Sequence, residues 1–477
     1  MRQILRSRSV IIRFLASKSL SLMLFGVPGL KRILISILAL IAGSVTIISC
    51  GSSSNSSSSS SSTTTTHKPS GIKFRVFISN PLYPQGTTGA VVNTQVLNIV
   101  DATLDKLALT FFVPLTGISL QPSLMTLAPN GKYTAVFSPN GNTVAIVDNA
   151  TEAVAVPTGS TTPLPAIPLP GLTESLVVSN FATTAYAAVP TAPIAGQSPG
   201  AVVVMSLQTG SVSATIPAPG AHFIVLSPDG NHLLVFSDNS DTVTVIATPS
   251  IGTATDPRSY ISGFDRPVWG IFSSNTSAYI LNCGAQCGGT AAGVSVAEVG
   301  ASAATSTTPV SAATFGVVSG STLYVAGTPP GTNTCTGSVT AAPTCGRLTA
   351  INTNSMTVTG SAIITDGYHG RMQVSQNGQL FIGSYGCTNI NIVGGEVRGC
   401  LSIFNTNTGG VVIPPSNGNV TGLQQITGRN TVYVIQNAEL GIYDTMTDAL
   451  QVTPSNGNNN DGQIDIVGQP FDVKLVD

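Results

Sequence analysis

The sequence predicts an all-β protein assembled from repeated small sheets. Three observations carry this. Short runs of Val, Ile, Thr and Tyr alternate with Asn-Gly, Asp-Gly, Pro and Ser clusters from residue 73 onward. No amphipathic helical stretch of useful length interrupts them. Gly (49) and Pro (30) are frequent, while only 8% of the 477 residues are charged, against ~25% in ordinary soluble domains. The same figures argue against a charged disordered chain and a basic nucleic-acid binder, so no nucleic acid is expected as a partner.

A four-part phrase recurs along residues 73–477. It opens with a strand such as RVFISN (75–80), LLVFSDN (233–239) or VYVIQN (432–437). A second strand ends in an acidic or amide turn, with Asp101, Asp148, Asn352, Asn405 and Asp444 in equivalent places. Such side chains bond the backbone two residues on and start a turn. A weaker third strand follows, as in SVSATIPAPG (211–220). The fourth leads into a Pro/Gly turn, as in FIVLSPDG (223–230) or RMQVSQNG (371–378). Opening strands near residues 75, 134, 184, 233, 278, 323, 380 and 432 make eight phrases, about 40 to 60 residues apart. Each phrase alone exposes an apolar face that radial stacking buries. The expected fold is a single β-propeller of eight four-stranded blades. Seven is the alternative, because the third and fifth phrases are the most degenerate.

The Ser227–Gly230 turn, the "YV" strands and the "IVD" strands ending at Asp101 and Asp148 resemble YVTN-type β-propeller repeats. The resemblance covers 73–477 and implies the fold. It implies little about activity, since one fold hosts unlike functions. The chain starts on an opening strand, Phe74 to Asn80, and ends on a fourth strand within 468–477. Phe471–Val476 should therefore become the innermost strand of the blade containing 75–80 and close the ring.

Charge is distributed unevenly. Residues 1–49 hold seven basic residues and no acidic one. Lys31-Arg32 precedes an apolar run, Ile33 to Ile48, ending at Ser49-Cys50. This is the layout of a secretory signal. Its 16 residues are short for a bilayer span of ~20. Ile47-Ile48-Ser49-Cys50 resembles the lipobox of bacterial lipoproteins, with Ile47 where Leu is usual. That resemblance implies lipidation of Cys50 and a cell-envelope location, with the outer membrane favoured because Gly51 follows the Cys. An uncleaved signal anchor is the alternative, and Met23 is a plausible start. Residues 50–72 form a Ser/Thr-rich tether, whose first 20 or so residues would span roughly 25 Å. His67 within it is read as solvated.

Six cysteines remain: Cys283, Cys287, Cys335, Cys345, Cys387 and Cys400. An even count in an exported chain implies disulfides. Three pairs in chain order each fall in one blade, between its first and second phrase strands. No C-x-x-C and no nearby His supports a metal reading.

Motifs for chemistry are few. Gly196-Gln197-Ser198-Pro199-Gly200 matches G-x-S-x-G, but its prolines mark a loop rather than a strand–turn–helix. Residues 457–465 echo a calcium loop without its first and last acidic ligands, leaving only Asp461 and Asp465. Better candidates stand at the fourth-type strands, which line the channel of a propeller. These are Glu174, His222, Arg266, His369, Arg371 and Asp472. A small polar or anionic ligand held by Arg266, Arg371 and the two histidines is the expectation. His232 and the single Trp269 read as structural. The whole reads as a monomeric, envelope-anchored binding or scaffolding module for an envelope protein or small ligand, with no cofactor. The alternative is a hydrolase similar to metal-dependent propeller lactonases, using Glu174 and Asp472.

Overall fold

The structure, a computed structural model, describes residues 68–85, 90–115, 121–330, 345–392, 394–451 and 462–477. The expected signal segment, Cys50, His67, Cys335 and Asp461 lie outside them. Eight antiparallel sheets succeed one another, each with its innermost strand touching the innermost strands of both neighbours. Those strands begin with Asp472–Leu475 in blade 1 and run on through Met125–Leu127, Ser175–Val178, Ala221–Leu226, Pro267–Phe272, Phe315–Ser319, Tyr368–Val374 and Val420–Ile426. The fold is an eight-bladed β-propeller.

Blade 1 joins both ends of the chain. Asp472–Leu475 pairs with Arg75–Ser79, in the register Val76↔Leu475 to Ser79↔Asp472, and Val96–Asp101 and Lys106–Pro114 complete the sheet. The third and fifth blades, read as degenerate, are regular four-stranded sheets. Irregularity falls instead on the outer strands of blades 2, 7 and 8, which shrink to two residues.

The second strand of each blade is buried on both faces, which is why it reads as a continuous apolar run. In blade 1, Val76 and Ile78 pack against Tyr433 and Ile435 of blade 8, while Phe77 packs towards Met125 and Val136 of blade 2. Each such side chain contributes about 1.5–3 kcal/mol of burial.

The turn chemistry read from the sequence is present at all five positions. Asp101, Asp148, Asn352, Asn405 and Asp444 each accept an N–H from the residue two further on, at 2.7–2.9 Å. Four residues after the turn starter the backbone is left-handed, at Asp105, Glu152, Met356, Gly409 and Asp448. A non-glycine residue there costs strain that the ring must over-determine.

Two of those strained residues seal the ring. Glu152 accepts from Arg75 Nη1 at 2.8 Å, and Asp477 receives Arg75 Nε and Nη2, both at 2.8 Å. The Arg75 side chain is only 2% exposed. Asp105 takes both Nη atoms of Arg429 at 2.6 Å, together with the Tyr433 hydroxyl. Ser70 donates to Glu152 and Lys68 pairs with Asp477. All of these lie where innermost strands end. The chain thus reaches the propeller at that end, and the innermost strands start at the other.

At that other end lie the loops joining second and third strands. Cys283–Cys287 and Cys387–Cys400 are disulfides in the loops of blades 5 and 7. Cys345, just before a strand of blade 6, is also disulfide-bonded; its expected partner Cys335 is outside the described residues.

Candidate functional site

Four innermost strands open with a bulge. Register shifts fall between Ala221 and Phe223, Pro267 and Trp269, His369 and Arg371, and Val420 and Gly422. The extra residues are His222, Val268, Gly370 and Thr421. A bulge re-aims side chains by breaking the alternation of the strand. It brings His222 to the channel mouth and puts Phe223, Trp269 and Arg371 at equivalent positions just inside.

His222 bridges two blades. Its Nδ1 lies 2.8 Å from Asp238 Oδ1 and its Nε2 lies 3.2 Å from Glu174 Oε2. Two carboxylate partners require both ring nitrogens to donate, which is the imidazolium form. The Glu174 hydrogen bond foremost, with Asp238 adding to it against burial, pushes the ring up to about 9. Glu174 is held below the ordinary carboxylate range, first by its bond to His222 and also by the charges of His222 and Arg371.

Arg266 stands beside this triad. Its backbone is left-handed (φ 54°), its N–H donates to Asp241 Oδ1 at 3.1 Å, and its guanidinium lies 3.6 Å from the same carboxylate. The neighbouring Asp265 pins the disulfide loop by accepting from the Thr290 and Ala291 amides at 3.0 and 2.8 Å. Gly289 has to be glycine there, since a Cβ would meet Asp265 Oδ1 at 1.8 Å. Glu174, His222, Asp238 and Arg266 line a cavity of about 310 Å³, with Cys287 and Tyr368 on its rim.

A second cavity of about 710 Å³ fills the upper channel and shares Glu174, Phe223, Val268 and Tyr368 with the first. Seven of the eight innermost strands, or residues just before them, contribute to its wall. The wall is mainly apolar. Phe223, Trp269 and Phe315 come from blades 4, 5 and 6, with the first two rings edge to face at 6.1 Å and the last two tilted at 4.6 Å. Tyr385 and Phe471 add further rings. Burial pushes the Tyr368 hydroxyl up to about 12 and Tyr385 also upward, so both remain neutral donors. Arg371 and Lys474 are the cations of this wall.

The structure therefore brings together Glu174, His222 and Arg266 at the mouth and puts Arg371 just inside. It does not add His369 or Asp472 to them. His369 is fully buried off the cavity, with Nε2 at 3.0 Å from Thr365 O, and burial pushes it down to about 4. Asp472 is fully buried at the ring seam. It accepts from the Met125 and Val473 amides and from Lys474 Nζ, each at 2.8 Å. Trp269, read from the sequence as structural, belongs to the cavity wall. The available signal was an aromatic residue at the start of three successive fourth-type strands: Phe223, Trp269 and Phe315.

Gly196–Gly200 lies in a turn and loop with no helix after it. Gly200 is there for close backbone approach, since a Cβ would meet Gly220 N at 2.2 Å. Of the calcium-like stretch 457–465, only residues 462–465 are among the described residues. Asp465 is exposed.

The class defined by fold and geometry is an eight-bladed propeller with a cavity at one mouth. No protein-family model matches the sequence, and no curated protein matches it. Among solved structures it is similar to a dihydro-heme d1 dehydrogenase in complex with DHE, at 11% identity and TM-score 0.54, covering 86% of this chain and 79% of that one. It is also similar to the C-terminal WD40 domain of Sif2, at 9% identity and TM-score 0.52, covering 77% and 95%. A periplasmic gluconolactonase of Pseudomonas aeruginosa aligns at 14% identity and TM-score 0.44, over 85% and 99%. At these identities the likeness is one of fold.

Proposed function

We propose that this protein is an exported, lipid-anchored propeller that binds a small molecule in the upper channel. The observation that carries the reading is the 710 Å³ cavity, within the ~300–1,000 Å³ typical of small-molecule sites, with a few polar groups converging on an apolar wall. The leader sequence, the Cys50 context and the paired cysteines support export and anchoring. The two carboxylates considered for a hydrolase are engaged elsewhere: Asp472 by two amides and Lys474, and Glu174 by His222.

Two measurements test this. Mass spectrometry of membrane-extracted protein should find a diacylglyceryl-modified Cys50 at the N-terminus; an unmodified Cys50 overturns the anchor. Purified protein incubated with an envelope small-molecule extract should retain a defined set of molecules. Val268→Trp, which fills the space shared by both cavities, should lose them. Retention of the same set by this variant overturns the channel site.

A further inference from the structure

The chemistry of the channel wall narrows what it takes. We infer that the upper channel binds a flat, largely apolar molecule carrying a carboxylate, with the ring system against the Phe223–Trp269–Phe315 arc and the carboxylate on Arg371. This deepens the channel-binding reading and rests on it.

The apolar part follows from the wall. Phe223, Trp269 and Phe315 hold equivalent inward positions in three consecutive blades. Their rings make one continuous arc, at 6.1 and 4.6 Å between centroids. Rigid aromatic faces lose little entropy on binding and prefer offset or edge-on contact with another ring. A flexible chain could fill the volume, but it would gain nothing from that arrangement.

The anionic part follows from charge accounting. Three charged side chains line the cavity: Glu174, Arg371 and Lys474. Glu174 is satisfied by protonated His222, and Lys474 by Asp472. Arg371 occupies the same strand position as Phe223 and Trp269, so it continues the arc into blade 7. Its Nε donates to Thr421 O and its Nη1 to Gly370 O, both at 3.0 Å. These bonds fix the plane of the guanidinium without neutralising it. Among the described residues no carboxylate forms an ion pair with Arg371, although Glu174 senses its charge. A positioned guanidinium in an apolar wall matches a carboxylate in shape and charge. Neutral Tyr368 and Tyr385 beside it offer further hydroxyl donors.

Trp269 is the chain's single tryptophan, so its emission reports this cavity alone. Full-length protein in detergent is titrated with pyrene-1-carboxylate, pyrene-1-methanol and pyrene-1-methylamine, and with decanoate as a non-planar anion. Quenching of Trp269 emission by energy transfer to pyrene is read, with calorimetry for decanoate. The expected result is saturable quenching, with the carboxylate at least about tenfold tighter than the amine and tighter than decanoate. Arg371→Met should remove the preference over the amine while quenching persists, and Arg371→Lys should restore part of it. If the amine binds as tightly as the acid, or decanoate binds better, the ligand class is wrong and channel binding stands. If no probe quenches Trp269 in a folded protein, the channel reading falls as well.

Discussion

Two charged clusters occupy opposite ends of the same ring, and they are built differently. At the end where the innermost strands finish, Arg75, Glu152 and Asp477 are 2%, 3% and 13% exposed, and Arg75 meets both carboxylates at 2.8 Å. Neither of the two channel cavities is lined by them. At the mouth, His222 sits between Glu174 and Asp238, whose side chains are 73% and 52% exposed, and the cluster lines a cavity. In a chain with 8% charged residues, burial with full pairing marks a lock and exposure beside a void marks a contact surface. The first holds blade 1 to blade 2 and the C-terminus; the second is free to meet a ligand.

The comparison breaks most readily at Arg75. Replacing it by Met takes the only cation from buried Glu152, which keeps just the Ser70 donors, and leaves Asp477 to Lys68 alone. Denaturant unfolding should record a loss of about 3–5 kcal/mol. His222→Gln should cost under about 1 kcal/mol, because its partners are solvated. Equal losses would erase the distinction between lock and contact surface.

The disulfides come next, since they hold the mouth loops. Replacing Cys387 and Cys400 by Ser should cost about 3 kcal/mol on chain-entropy grounds, and Cys283 with Cys287 about 2 kcal/mol. Thermal melts of the two double variants rank them, and a reversed order would contradict loop length as the cause. Asp105→Asn sharpens the seam argument. Asn tolerates the left-handed backbone, so the change removes charge from Arg429 and Tyr433 without new strain. The expected loss is about 1–3 kcal/mol, read by the same unfolding assay.

The smallest effect is pH-dependent. The folded value of His222, about 9, lies above its ordinary 6.5. The stability its charged ring contributes is therefore complete below about pH 6.5 and lost as pH rises through about 9. Glu174 is shifted down, so its contribution is present above its ordinary 4.5 and lost as pH falls below that. Ring NMR shifts of His222 between pH 5 and 10 should show this late titration. A midpoint near 6.5 would mean that the bridge to Glu174 is absent in solution.

Much of the architecture was legible because it is local. The turn starters Asp101, Asp148, Asn352, Asn405 and Asp444 bond as their residue types dictate. The pairing of Asp472–Leu475 with Arg75–Ser79 followed from where the repeat begins and ends. The site was only partly legible, and the bulges explain why. His222 and His369 look alike in sequence, each at the start of an innermost strand. His222 is the extra residue of its bulge and faces the mouth. His369 precedes the extra residue, Gly370, and turns between blades. A one-residue register shift exchanges the two faces of a strand. Composition cannot reveal such a shift, so Trp269 read as structural; Asp472 stands on a strand without a bulge, where the Met125 and Val473 amides hold it at the seam.

The most direct test is hydrogen–deuterium exchange on the full-length protein with and without pyrene-1-carboxylate. Slower exchange is predicted at Ser175–Val178, Ala221–Leu226, Pro267–Phe272 and the start of Tyr368–Val374, with none around Arg75, Glu152 and Asp477. Protection confined to the Arg75 end, or spread evenly over both ends, would contradict a ring that is locked at one end and binds at the other.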